Sequence, residues 1–263
     1  MFTLGIGQFT ALDLAPADYV RVAGESGCSS VSILAISPNP RQNLPLVLEG
    51  NSGQVKAALA AQNLTVGNIE CCMLTPKTDM DVFRSGLEVG RSVGARGVTA
   101  ILFDTDESRV GDNLRRLCAL ASEHDLRVSL EFMPMSPRWR TLSEAIELIE
   151  SLHQPNLGLC IDLLHLVRSG SSIQDVANLS PELIHYVQLC DGLDLAVTDD
   201  YAMEASSNRL TPGEGAFPIA DLLAVLPHDT LIEIEVPQFS SMRPEDRVRA
   251  IVGETRKFLN LSI

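Results

Sequence analysis

Short apolar runs alternate with longer amphipathic stretches along the whole chain, and turn residues separate them. Met1–Thr10 alternates weakly and reads as a strand. Leu14–Gly27 follows as a helix, with Pro16 in its first turn and Gly27 past its end. The run Ser29–Ile36 is a second strand, Pro38–Pro45 a loop and Ser52–Gln62 a helix. Thr65–Leu74 reads as strand three and Asp79–Gly94 as an amphipathic helix stopped at glycine. Val98–Asp104 and Arg127–Met133 are the next strands, followed by the helices Asp106–His124 and Leu142–His153. Strand six is Leu157–Leu163, then a short helix Ser172–Asn178, and strand seven is Leu183–Cys190. A long polar loop, Asp191–Gly215, precedes the helix Ile219–Leu226, the last strand Leu231–Val236 and the closing helix Pro244–Leu259.

Strands that alternate with helices imply a parallel sheet, and eight such units in 263 residues imply a closed barrel. The expected fold is therefore α/β, a single (β/α)8 TIM barrel over residues 1–263. An open doubly wound sheet would carry a glycine-rich phosphate turn after its first strand. Gly5-Ile6-Gly7 lies inside that strand instead, which favours the barrel.

Charge narrows the partners. A net charge of −14 argues against a nucleic-acid partner, which needs clustered Lys and Arg. No apolar run is long enough to span a membrane, and the start lacks the basic region and apolar core of a signal peptide. Six cysteines follow no zinc spacing, and Cys118, Cys160 and Cys190 sit in apolar segments like buried thiols. A reduced, cytoplasmic protein is expected.

The candidate chemistry lies at the strand ends. Gly158-Leu159-Cys160-Ile161-Asp162-Leu163-Leu164-His165 starts as a strand buried on both faces and ends on an acid, with a histidine three residues on. In a barrel, catalytic groups project from the C-terminal strand ends. The last four tips give Glu131, Asp162, Gln188 and Glu235. Three carboxylates and an amide oxygen make a hard, oxygen-rich site that suits Mn²⁺, Mg²⁺ or Co²⁺. The competing reading is a set of helix caps and ion pairs. Glu233 points to the same side as Glu235, one layer deeper, as a structural polar group would. His185 is out of phase with Gln188 and is expected against the helix layer.

Five stretches carry a family resemblance: Leu130-Glu131-Phe132-Met133-Pro134, Ile161-Asp162-Leu163-Leu164-His165, Val187-Gln188-Leu189-Cys190-Asp191-Gly192, Arg209 with Pro212-Gly213-Glu214-Gly215, and Glu235-Val236-Pro237. Together they resemble the xylose-isomerase-like sugar phosphate isomerase/epimerase superfamily. The resemblance implies a metal-dependent enzyme, with Glu131, Asp162 and Glu235 as carboxylate ligands of a divalent ion, Mn²⁺ first. It makes His165 and Arg209 substrate-binding residues and sets Glu131 and Glu235 on opposite faces of the substrate as acid and base. Many members carry His-x-His where this chain has Tyr186-Val187-Gln188, so an amide oxygen stands in for an imidazole, and its direct ligation is left open.

The implied reaction is proton abstraction beside the carbonyl of a keto-sugar or related compound, ending in isomerisation or epimerisation. A lyase that expels a β-oxygen substituent is the alternative. The endonuclease branch uses several histidines, whereas His124, His153 and His228 fall at helix ends or a turn. A metabolite binder would not need the full carboxylate set. Arg168 is a candidate for substrate or for the surface, and Trp139 for the site rim or for anchoring its loop. A homo-oligomer is compatible with all of this.

Overall fold

A computed structural model describes residues 2–38, 41–195 and 200–261. Eight parallel strands close into a barrel in sequence order, with β1 pairing to both β2 and β8. They are β1 (Thr3–Ile6), β2 (Ser30–Leu34), β3 (Thr65–Leu74), β4 (Gly97–Leu102), β5 (Arg127–Glu131), β6 (Leu157–Asp162), β7 (Ile184–Leu189) and β8 (Leu231–Ile234). The helices are α1 (Pro16–Glu25), α2 (Glu49–Gln62), α3 (Met80–Ser92), α4 (Glu107–Ser122), α5 (Leu142–Leu152), α6 (Leu163–Arg168), α7 (Ile173–Ala177), α8 (Tyr201–Ser207), α9 (Ile219–Val225) and α10 (Pro244–Phe258). Every residue of β2, β4, β6 and β7 is buried, as apolar runs packed on both faces require.

The expected elements are all present, several with shifted ends, and short helical segments are added, among them α6 and α8. The first strand stops at Ile6, because Gln8 turns the chain into a 3₁₀ turn at Gln8–Ala11. Its buried carbamoyl accepts from the Leu34 amide at 2.7 Å and donates to the Pro45 carbonyl at 2.7 Å. The supposed loop Asp191–Gly215 contains α8. Of the expected ranges, residues 1, 39–40, 196–199 and 262–263 lie outside the described residues.

Strand register fixes where the polar groups meet. Glu131 pairs with Cys160, Asp162 with Gln188, and Gln188 with Glu233, so the acids of β5 and β6 and the amide of β7 end at one mouth. One layer down, Glu233 is fully buried and accepts from Ser32 Oγ at 2.5 Å. Burial pushes its carboxyl up to about 7, against the hydrogen bonds from Ser32 and Asn68. It is the deep structural group that alternation indicated.

His185 departs from expectation. The β6–β7 register shifts between Leu159 and Cys160, so alternation fails at this point of β7. The ring sits between strands, with Nδ1 at 3.1 Å from Ser129 Oγ. A side chain at Gly158 would meet it at 2.4 Å. It lines a cavity among the strand starts Thr3, Thr65, Arg127 and Leu231, at the far end of the barrel from the carboxylates. Burial, with Arg127 nearby, lowers its pKa to about 4. Between about 4 and 6.5 the unfolded chain protonates this ring and the folded chain does not, so stability falls as pH drops through that window. Urea unfolding of the wild type should lose about 2–3 kcal/mol from this group between the two limits. His185→Gln should flatten the curve by that amount, and a variant with an unchanged pH slope would show the ring is not the source.

Candidate active site

A cavity of about 380 Å³ opens at the C-terminal ends of the strands. Its lining combines polar Glu70, Glu131, His165, Gln188, Arg209 and Glu235 with an apolar cluster of Phe9, Ile101, Phe103 and Met133. Five of the six candidate residues of the sequence reading line this mouth, and the sixth, Asp162, lies just behind the lining, bonded to Arg209.

Asp162 ends β6 and caps α6, its Oδ1 accepting from the His165 amide at 3.2 Å. The capping interpretation is therefore correct for one oxygen only. The other oxygen takes Arg209 Nη1 at 2.5 Å. Burial alone would raise this carboxyl, but Arg209 and His165 hold it down at about 2. The same Nη1 lies 3.0 Å from Glu235 Oε2. Burial pushes Glu235 well up despite that contact, so the two carboxylates share one guanidinium unequally.

Arg209 is buried and carries no freedom of its own. Its Nε donates to the Ala205 carbonyl at 3.0 Å, which ties it to the end of α8. The following loop is gathered by Asp191, buried just past β7. Its carboxylate accepts from the amides of Gly192, Gly213, Gly215 and Phe217 at 2.9–3.0 Å. A side chain at Gly215 would lie 2.2 Å from the Gly192 carbonyl, so the close turn requires glycine there.

His165 Nε2 lies 3.2 Å from Glu131 Oε1, and its Nδ1 lies 2.7 Å from Tyr201 Oη. A carboxylate only accepts, so in the neutral ring Nε2 carries the hydrogen and Nδ1 accepts from tyrosine. Glu131, Asp162 and His165 present ligand atoms within 4.8 Å of one another, a mixed oxygen and nitrogen set that fits a divalent cation. Gln188 lines the same cavity, with its Oε1 accepting from the Cys160 thiol at 3.2 Å. Glu235 is turned to Arg209.

Two secondary candidates resolve. Arg168 grips Glu204 at 2.6 and 2.7 Å and the Asp194 carbonyl at 3.0 Å, over the Phe217 ring. It fastens α8 and is not among the cavity residues. Trp139 is buried in the main core at φ 57°, with Arg138 stacked on it, and anchors its loop. Sequence reasoning missed Tyr201, which sits in a stretch read as loop. It also missed Glu70, an acid inside the apolar run Ile69-Glu70-Cys71-Cys72, a signal that was readable.

A family model described as xylose isomerase-like TIM barrel matches residues 20–258, and the chain belongs to that family. It is 22% identical over 188 residues to an inosose isomerase of Halalkalibacterium halodurans, covering 66% of this chain and 65% of the relative. It is 31% identical over 115 residues to a 3-dehydroshikimate dehydratase of Pseudomonas aeruginosa, covering 44% of this chain and 18% of the relative. The chain thus spans under two thirds of either curated relative. A crystal structure described as IOLI protein with a binding zinc atom superposes with a TM-score of 0.78 at 15% identity, over 99% of this chain and 98% of that one. Among the described residues no helix is long and apolar enough to cross a membrane.

Removing the guanidinium strands two buried carboxylates. Arg209→Ala should destabilise the metal-free protein by about 3–5 kcal/mol in chemical denaturation. Added divalent cation should restore part of the loss. A variant as stable as the wild type without metal would mean that the pair needs no countercharge.

Proposed function

We propose that this protein is a divalent-metal-dependent enzyme that moves a proton beside the carbonyl of a small polyhydroxy carbonyl compound, as an isomerase or epimerase. The observation that carries this reading is the Glu131, Asp162 and His165 cluster in a cavity at the barrel's C-terminal mouth. Glu131 and Asp162, with the oxygens of Gln188 and Glu235 nearby, are the proposed holders of the ion, and His165 stands beside them. When bound, the ion supplies Lewis-acid polarisation of the substrate carbonyl. The carboxylate-rich surroundings favour Mn²⁺, with Mg²⁺ or Co²⁺ as substitutes.

The side chains then divide the proton work. Glu131 takes the proton from carbon, since it lies at a strand tip of the mouth, beside His165 and outside the reach of Arg209. Glu235 comes from β8, three strands round from β5, and so reaches the substrate from a different side. It returns the proton. Arg209 binds substrate oxygen beside it, and His165, steadied by Tyr201, hydrogen-bonds the oxygen that gains charge. Burial raises the Glu235 carboxyl well above its usual range, which suits a group that hands a proton back.

One observation favours elimination as a second reading. The His165–Tyr201 pair is a built proton source for a departing oxygen, and the likeness to the dehydratase agrees with it. Isomerisation returns a product of unchanged mass, whereas elimination returns one lighter by water or an alcohol.

Complete metal removal should abolish turnover, and Mn²⁺ should restore it. In D₂O, recovered substrate and product should carry deuterium at the carbon next to the carbonyl. Asp162→Asn should cost more metal affinity than Gln188→Ala, because it removes a charge. Turnover that persists in chelated protein would refute the assignment. His165→Ala should lower kcat/KM by roughly 10²–10⁴-fold while metal-dependent exchange persists in the isomerase.

A further inference from the structure

We propose that Glu70 binds a hydroxyl of the substrate, and that the pocket takes an uncharged polyhydroxy ketone in preference to a phosphorylated or carboxylated one. This rests on the enzymatic reading of the site given above. Glu70 projects from β3 into the cavity and is 2% exposed, and neither of its carboxyl oxygens has a side-chain partner among the described residues. A buried carboxyl without a partner costs stability and is kept only where something else uses it.

Other buried acids each have a side chain or amides holding them. Asp104 is held by Arg109, Asp162 by Arg209, Asp191 by four amides, and Glu233 by Ser32. Glu70 has no such arrangement. Room for it has been left open at Gly7, where a side chain would lie 2.8 Å from Glu70 Oε1 and 3.7 Å from Glu235 Cγ. Burial, reinforced by the charges of Glu233 and Glu131, raises its pKa well above the carboxylate range, against a weaker pull from the Gln8 and Phe9 amides. A protonated carboxyl offers one donor and one acceptor, the pair that an alcohol hydroxyl matches.

The rest of the lining decides the charge of the substrate. Among the described residues lining the cavity the only guanidinium is Arg209, already facing Asp162 and Glu235, and there is no lysine. Away from the ion, a phosphate or carboxylate beside Glu70 would find no lysine, and the one guanidinium of the lining already faces two carboxylates. The apolar cluster of Phe9, Ile101, Phe103 and Met133 suits the C–H face of a ring, so a cyclic or ring-closed polyol meets both the polar and the apolar lining.

Calorimetric titration of the Mn²⁺-loaded protein tests this with an inosose, its monodeoxy analogues and 3-dehydroshikimate. The wild type should bind the inosose about tenfold or more tightly than the carboxylated ring. It should also lose about tenfold for one deoxy analogue, the size of one hydrogen bond. Glu70→Ala should lose the same factor for the inosose and no longer distinguish that deoxy analogue, with metal content unchanged. Glu70→Gln, which keeps a donor and an acceptor, should retain most of the affinity and covers the case in which the alanine variant misfolds. Equal affinity of Glu70→Ala and wild type, no inosose binding, or tighter binding of 3-dehydroshikimate would overturn the proposal. The two readings fail separately. Wild type without deuterium exchange on any of the compounds sinks the enzymatic reading, whereas intact exchange with binding insensitive to Glu70 sinks only this one.

Discussion

The placement of one guanidinium between two buried carboxylates governs the mouth of this barrel. Asp162 and Glu235 arrive on different strands, each almost out of water, and neither can stay charged there without a countercharge. Arg209 supplies it at 2.5 and 3.0 Å. The result is uneven. Asp162 is held near 2, and Glu235 is pushed up. Two acids on one guanidinium thus differ in how readily each gives up its proton, although both are carboxyls. Glu131, paired with His165 and closer to solvent, lies outside that competition.

Holding Arg209 in place is a task for chain segments remote in sequence. Asp191 collects four amides of the loop that follows Arg209, while Arg168 locks α8 through Glu204. The same helix delivers Tyr201 to His165. The polar segment after β7 therefore carries three connections to the site, through Arg209, Tyr201 and Asp191. None of these contacts depends on helix propensity or apolar patterning. They depend on single polar atoms meeting at the right distance.

That distinction explains what could be read from the sequence. The strands show as apolar runs because both faces are buried, so Leu157–Asp162 and Thr65–Leu74 stand out from one sequence. Strand tips follow from the ends of those runs, which is why Glu131, Asp162, Gln188 and Glu235 could be found. Alternation also placed Glu233 correctly but failed at His185, where a register shift breaks the period. Tyr201 and the Arg168–Glu204 pair were out of reach, since α8 is short, polar and framed by tertiary contacts. The deep gap at Gly7 likewise appears only once β1, β3 and β8 are brought together.

The cysteines complete the chemistry by staying out of it. Cys71, Cys160 and Cys190 all lie near the carboxylates, and thiolates there would compete for any metal with a soft donor. Burial raises the pKa of each, and Glu131 adds to the effect at Cys71 and Cys160. Cys160 instead donates its proton to the Gln188 oxygen, so its sulfur helps orient the amide at the strand tip. A cation entering the mouth finds carboxylate oxygen, imidazole nitrogen and an amide oxygen, with sulfur kept in its protonated form. The crowding of acids that makes the site costly thus also selects the class of ion that can relieve it.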